Sequence, residues 1–122
     1  MPKIYTFKKR KDFLRVASGF YVVTHNLVLQ AAHSVCVSEN IWVGYTATKK
    51  IGNAVCRNKS KRRLRAVARC VLPDYAISNV DYVFIARNST FCCDYKELVR
   101  DAIYAIQKIN KNFPLPENVA ES

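Results

Sequence analysis

The segment KKIGNAVCRNKSKRRLRA, from Lys49 to Ala66, carries eight basic side chains and no acidic one. Its apolar residues recur at helical spacing from about Ala54 to Leu72, and one face of that helix would hold Ser60, Leu64, Val67, Ala68 and Val71. Gly52 lets the backbone turn sharply ahead of this stretch, and Asn53 can cap a helix that starts there. The segment therefore predicts an amphipathic helix, which Pro73 is expected to end.

The other side of this helix is predicted to bind phosphates. It holds basic residues on its outer surface and along its border, with one asparagine among them: Arg57, Asn58, Lys61, Arg62, Arg65 and Arg69. Cations on one face repel each other until a polyanion neutralises them and releases counterions. The guanidinium fork also suits bidentate contact with phosphate. A solvated basic face without a ligand is the alternative, and the lack of interleaved acids argues against it.

The positive charge is concentrated in the first part of the chain. The net charge is +11 over 122 residues. Residues 1–70 carry 15 Lys and Arg against 2 acids, whereas residues 71–122 carry 5 against 7. Such an excess indicates a nucleic acid, an anionic membrane surface or an acidic protein as partner. The length is typical of one domain, so residues 1–122 are predicted to form a single domain.

The remaining pattern predicts an α+β fold, an α/β sandwich with helices packed on a four-stranded mixed sheet. Helices are expected at about 9–18 and 95–111, and strands at about 20–29, 34–37, 41–48 and 81–87. Short connections between the first three strands, with a turn at Glu39-Asn40, favour an antiparallel meander. Asp94 is a suitable N-cap for the last helix. The predicted order is α-β-β-β-α-β-α, with residues 1–6 and 113–122 as frayed tails.

A second candidate site surrounds the first helix. Its aromatic residues Phe7, Phe13, Phe20 and Tyr21 lie close in sequence to four cations, which are Lys8, Lys9, Arg10 and Lys11. Aromatic rings among cations are typical of proteins that bind single-stranded nucleic acid, because bases stack while phosphates pair. The alternative is that Phe13 packs into the core beside Val16 and Ala17. A face that borders a cleft would satisfy both interpretations.

Catalytic chemistry by the protein itself is not predicted. The chain has no His-Glu-x-x-His, Gly-x-Ser-x-Gly or phosphate-loop motif, and its acids never pair at a metal-binding spacing. We therefore predict no catalytic residue and no metal ligand. The five cysteines have no regular spacing, which favours reduced thiols and a cytoplasmic protein. No apolar run approaches the ~20 residues that span a bilayer, so no membrane partner is expected.

The basic segment resembles the signature of the bacterial ribonuclease P protein subunit. The matching positions are Lys49, Lys50, Gly52, Asn53, Ala54, Val55, Arg57, Asn58, Lys61, Arg62, Arg63 and Arg65. Three flanking stretches are also similar to that family: FKKRKDF at 7–13, VGYTATKK at 43–50 and DYVFIAR at 81–87. Together the similar stretches extend over about residues 7 to 111.

The resemblance implies a fold with a left-handed βαβ crossover, where the general rule favours a right-handed one. It also implies a function. Proteins of this family bind the catalytic RNA of ribonuclease P, which with Mg²⁺ cleaves the 5′ leader from precursor tRNA. The expected partners are that RNA and precursor tRNA, in a complex of one RNA and one monomeric protein. The catalytic centre and the Mg²⁺ are expected in the RNA, so that only the holoenzyme is the ribonuclease.

The resemblance and the charge pattern together assign residues to two surfaces. RNA binding is expected of Lys49, Lys50, Asn53, Arg57, Asn58, Lys59, Lys61, Arg62, Arg65 and Arg69. A cleft for the precursor leader is expected at Lys8, Lys9, Phe13, Ala17 and Gln30. Three of these residues depart from the family pattern. Lys59 replaces an arginine, and Ala17 and Gln30 stand where relatives often carry aromatic residues.

Two other functions remain open from the sequence. One is a structural RNA-binding protein of the ribosomal type, which the charge alone does not distinguish from a processing factor. The other is a basic helix on an anionic membrane, which needs bulky exposed apolar residues opposite the charge. The helix has too few bulky apolar residues opposite its charge to bind a membrane, and these are better suited to a core: Leu64, Val67 and Val71.

Overall fold

The computed structural model describes residues 3–35 and 40–113. The elements in chain order are β1 (Ile4–Thr6), α1 (Arg10–Ala17), β2 (Phe20–Val23), β3 (Leu27–His33), β4 (Ile41–Thr46), a 3-10 turn (Lys49–Ile51), α2 (Ala54–Tyr75), β5 (Val80–Ala86) and α3 (Tyr95–Asn110). This is an α+β fold in which helices pack on a mixed sheet, which confirms the predicted class.

The sheet has five strands in the order β1-β4-β5-β3-β2. Strands β1, β4 and β5 run parallel to one another, while β3 is antiparallel to both β5 and β2. Because β4 and β5 are adjacent and parallel, α2 is the helix of a βαβ crossover. The resemblance implied such a crossover, and its left-handedness stays a prediction.

The sheet has five strands where four were predicted, because β1 lies in the predicted N-terminal tail and the predicted strand 20–29 divides into β2 and β3. Ile4–Thr6 pairs in parallel with residues 41–43 of β4. A strand of three residues at the edge of a sheet leaves almost no periodic signal in the sequence. At the other end, Phe113 is buried and its ring packs edge-to-face on Phe20 and His33. Residues 114–122 of the predicted tail lie outside the described part of the chain.

The predicted first strand, 20–29, is a hairpin. Its two strands are joined by a turn in which the Thr24 N–H donates to the Leu27 carbonyl at 2.9 Å. Strand β3 then extends to His33, so that Ser34 and Val35 lie outside any strand. The rest of the predicted 34–37 strand and Glu39 of the predicted turn lie outside the described residues.

The predicted meander was wrong as well, since β3 pairs with β5 and not with β4. Helices α2 and α3 pack on one face of the sheet around the main core, and α1 packs on the other face. The five residues predicted for the core face of α2 are all buried, which confirms that prediction.

Helix α2 does not stop before Pro73 but continues to Tyr75. Tyr75 packs on the main core and the Ala76 N–H donates to the Leu72 carbonyl at 2.9 Å. Tertiary contacts therefore carry the helix past the proline. In α3, Asp94 occupies the N-cap position, but its side chain makes no capping hydrogen bond. Among the helices of residues 3–35 and 40–113, none has the length and hydropathy to cross a membrane.

Candidate RNA-binding cleft

A cleft of about 710 Å³ extends from α1 to α2, which pack on opposite faces of the sheet. Helix α1 contributes residues spaced as i, i+3, i+4 and i+7, which are Arg10, Phe13, Leu14 and Ala17. Strands β3, β4 and β5 contribute Gln30, Thr46, Val83 and Ile85 on the α1 face of the sheet, and Tyr45, which packs on the main core of the α2 face. Lys61 and Arg65 of α2 line the cleft from that second side. The two surfaces that the sequence predicted separately thus meet in one cleft.

The wall formed by α1 depends on a glycine in β4. The rings of Phe7 and Phe13 pack edge-to-face with centroids 5.0 Å apart, directly above Gly44. A Cβ atom at Gly44 would lie 2.7 Å from both rings, which is too close for any real contact. Phe13 is half-buried, packs on Val16 and Val83, and also lines the cleft. Phe13 therefore belongs both to the core and to the face that borders the cleft, and nucleic-acid binding by that face stays a prediction.

An ion pair with a buried carboxylate fixes α1 on the side away from the cleft, although its arginine is partly exposed. Asp81 on β5 is 4% exposed. Its carboxylate accepts a hydrogen bond from the Arg15 guanidinium at 2.5 Å and another from the Ser34 hydroxyl at 2.6 Å. Arg15 also donates to the His33 carbonyl at 2.9 Å. Breaking such a pair typically costs 3–5 kcal/mol, so it holds α1 in one position on the sheet.

The basic residues of α2 lie on three sides of the helix. Lys61 and Arg65 face the cleft, and Arg57 lies one turn before Lys61 on the same side. The Arg65 guanidinium lies 5.2 Å from the centroid of the Tyr45 ring, a cation–π contact that restricts its position. The Arg57 Nε is buried without a hydrogen-bond partner among the described residues. This side therefore presents donors for an anion in the cleft.

The second side of α2 faces the loop between β5 and α3. The Arg63 guanidinium donates to the carbonyls of Thr90 at 2.7 Å and Cys93 at 2.5 Å. The Lys59 ammonium lies 4.5 Å from the centroid of the Phe91 ring. Arg63 matches the family signature, yet its contacts are internal and fasten the loop to the helix.

The third side of α2 is open to solvent. Asn58, Arg62 and Arg69 are exposed, and within the described part of the chain their side chains make no hydrogen bond or ion pair. Lys49 and Lys50 are exposed on the turn before the helix. The Asn53 side chain instead accepts a hydrogen bond from the Cys56 N–H at 2.9 Å, which confirms it as the N-cap. Gly52 ahead of it has φ of +148°, a backbone conformation that favours glycine.

Among the described residues, the cleft is lined by four cations and no carboxylate; the cations are Lys8, Arg10, Lys61 and Arg65. Such a lining attracts an anionic chain. It does not fit Mg²⁺, which prefers carboxylate and other oxygen ligands. Burial raises the pKa of Tyr45 above its ordinary value, and the positive charges of Arg65 and Arg69 oppose that shift. Tyr45 therefore stays neutral at physiological pH.

Of the residues predicted for a leader cleft, Lys8, Phe13, Ala17 and Gln30 line the observed cleft, whereas Lys9 is exposed at the N-cap of α1 and does not; leader binding there stays a prediction. The sequence reasoning missed Leu14 and Tyr45 as cleft residues, and it named Arg10 only among the cations around the first helix. The signal for Arg10 and Leu14 was the i, i+3, i+4, i+7 spacing with Phe13 and Ala17, which defines one face of a helix.

Comparison with known proteins places the chain in a family. The family model described as Ribonuclease P matches residues 1–110. The ribonuclease P protein component of Paramagnetospirillum magneticum is 40% identical over 106 residues, which are 84% of this chain and 80% of the relative. That of Ruegeria pomeroyi is 40% identical over 113 residues, which are 91% and 90% of the two chains.

Comparison with solved structures points to the same family. The RNase P protein of Staphylococcus aureus has a TM-score of 0.70 at 27% identity, covering 85% of this chain and 94% of that one. The RNase P protein from Thermotoga maritima has a TM-score of 0.72 at 21% identity, covering 85% and 96%, and supports the fold alone. The chain belongs to the ribonuclease P protein family.

Proposed function

We propose that this chain is the protein subunit of a bacterial ribonuclease P, which binds the catalytic RNA and the 5′ leader of precursor tRNA. In this role it assists the Mg²⁺-dependent removal of the leader that gives the mature 5′ end. The observation that carries the proposal is the meeting of aromatic and cationic residues in one cleft beside an exposed basic helix face.

The cleft suits a single strand of RNA. Its cations lie at two ends, Lys8 and Arg10 beside α1 and Lys61 and Arg65 on α2. Phosphates of a strand along the cleft pair with either set, while its bases reach the face of the sheet beside Phe13. Stacking and phosphate pairing together are how proteins hold single strands with little sequence preference.

The solvent-facing side of α2 is then left for the catalytic RNA. Arg62 and Arg69 are exposed and, among the described residues, have no internal partner that would compete with a phosphate. Lys49 and Lys50 extend this surface beyond the start of the helix. Each phosphate neutralised contributes roughly 0.7 to 0.9 units to the dependence of log affinity on log salt. Binding of the catalytic RNA is therefore expected to weaken steeply as salt is raised.

The protein contributes binding and position, and the metal chemistry belongs to the RNA. When bound there, Mg²⁺ supplies an activated water and stabilises charge at the phosphate that is cleaved. The cations of this chain lower the repulsion between the leader and the catalytic RNA, which lowers the Mg²⁺ concentration that the complex needs. The chain alone is expected to cleave nothing.

Reconstitution tests the proposal. The purified protein is mixed with a bacterial ribonuclease P RNA and a precursor tRNA, and leader release is followed over a Mg²⁺ titration. We expect cleavage at low Mg²⁺ only when RNA and protein are both present. Tight, salt-sensitive RNA binding without any gain in cleavage would instead favour a structural RNA-binding protein.

A further inference from the structure

The floor of the cleft continues past α1 to the edge strand β2. In the pairing of β2 with β3, Tyr21 lies opposite Gln30 and Val23 lies opposite Val28. Gln30 in turn lies opposite Val83 of β5, and both line the cleft. Residues directly opposite each other in a sheet share a face. Tyr21 therefore lies on the same face as the cleft floor, one strand further out.

This outer part of the face is open. Tyr21 is 68% exposed, Val23 is 51% exposed, and Leu14 at the neighbouring end of α1 is 58% exposed. The adjacent Phe20 points to the other face, where its ring packs on Phe113 with centroids 5.3 Å apart. Within the described part of the chain, the Tyr21 side chain makes no hydrogen bond or ring contact. Its ring is thus available to a ligand, whereas that of Phe20 is engaged.

The two ends of this face differ in charge. The end that opens toward α2 carries the cations of the cleft. The end beside β2 is formed mostly by uncharged side chains, namely Leu14, Tyr21, Val23, Val28 and Gln30, and its one cation at the margin, Arg87, donates to the Thr24 carbonyl at 2.6 Å. An RNA strand that follows the face would meet phosphate-binding groups first and then a mostly uncharged surface with an exposed aromatic ring.

We propose that Tyr21, beside Gln30, is a stacking site for a nucleobase of the leader, upstream of the nucleotides held by the cations of the cleft. This rests on the proposed function. From β4 to β2 is three strand spacings, or roughly 14 Å. At the ~3.4 Å rise of a stacked strand, that distance corresponds to about four nucleotides. Tyr21 therefore acts only on leaders long enough to reach it.

The test uses the reconstituted holoenzyme and a series of precursors whose leaders shorten one nucleotide at a time. We expect Tyr21→Ala to weaken binding of long-leader precursors about ten-fold, since loss of one base–aromatic stack has this order of effect. Tyr21→Phe should bind like the wild type. Short leaders should bind all three proteins equally, and the salt dependence of binding should not change, because no phosphate contact is lost.

Tyr95→Ala serves as the matched control, since Tyr95 is 41% exposed on α3. Equal affinity of wild type and Tyr21→Ala for every leader would overturn the stacking site. An equal loss for short and long leaders, or a lower midpoint of thermal unfolding, would overturn it too by showing a general defect. If the wild-type holoenzyme bound precursors of every leader length with equal affinity, the proposed function itself would be refuted. This outcome distinguishes a failure of the proposed function from a failure of the stacking site alone.

Discussion

Arg62 and Arg63 are neighbours on α2, yet the structure gives them different roles. Arg62 is exposed on the solvent side, and Arg63 is half-buried and donates to two carbonyls of the loop before α3. We expect Arg62→Gln to weaken RNA binding without changing stability, and Arg63→Gln to lower stability with a much smaller effect on the salt dependence of binding.

The expected magnitudes follow from the contacts. A hydrogen bond that involves a charged group contributes about 1.5–3 kcal/mol, so loss of both Arg63 bonds should lower the free energy of unfolding by about 3 kcal/mol. Glutamine is shorter and cannot span to both carbonyls. Arg62→Gln is a surface change and should stay within about 0.5 kcal/mol of wild type. Its lost phosphate contact should reduce the slope of log affinity against log salt by about 0.7 to 0.9.

Two assays separate these effects. Urea denaturation gives the free energy of unfolding of each variant. Titration of the catalytic RNA at several salt concentrations gives the slope. Arg69→Gln is a second solvent-side control, expected to behave like Arg62→Gln. The reasoning would be refuted if Arg63→Gln kept wild-type stability, or if Arg62→Gln left both the affinity and the salt slope unchanged.

Three further changes have defined outcomes. Gly44→Ala should displace the Phe13 ring and lower the free energy of unfolding by about 1–3 kcal/mol. It should also weaken binding of leader-bearing precursor more than binding of mature tRNA, which competition binding would measure. Arg15→Met should lower the free energy of unfolding by about 3–5 kcal/mol at pH 7, because Asp81 is left buried without its partner; double substitution with Asp81→Asn should recover part of that loss. Burial raises the pKa of Tyr82 to about 12, so unfolding releases its proton between about pH 10 and 12. Stability should therefore fall as the pH rises through that window, by about 2–3 kcal/mol more in wild type than in Tyr82→Phe.

The local pattern of the sequence was sufficient to predict the helices. The core face of α2, from Ser60 to Val71, is buried as the periodicity indicated, and α3 buries residues at the same kind of spacing, from Leu98 to Ile109. Helical periodicity reports only which residues share a side. It does not report which part of the chain covers that side, so Arg62 and Arg63 could not be distinguished before the loop at Thr90 was located.

The order of the strands could not be predicted from local pattern. Strand β5 inserts between β3 and β4, which are neighbours in sequence, and pairs Val83 with both Gln30 and Gly44. That insertion creates the face that α1 and the cleft share. It depends on contacts between residues far apart in the chain, which local pattern does not report. The short connections between strands therefore favoured the simpler meander. The role of Gly44 appears only once the Phe7 and Phe13 rings are placed above it.

Site-specific crosslinking tests most directly the central claim that the cleft between α1 and α2 holds the leader. A photoreactive amino acid replaces Leu14, which is exposed and lines the cleft, or Gln107, which is exposed on α3. Each protein is reconstituted with the catalytic RNA and a precursor tRNA labelled at its 5′ end. We predict a crosslink to leader nucleotides from position 14 and none from position 107. Crosslinks from position 14 only to the catalytic RNA or to the body of the tRNA would contradict the account.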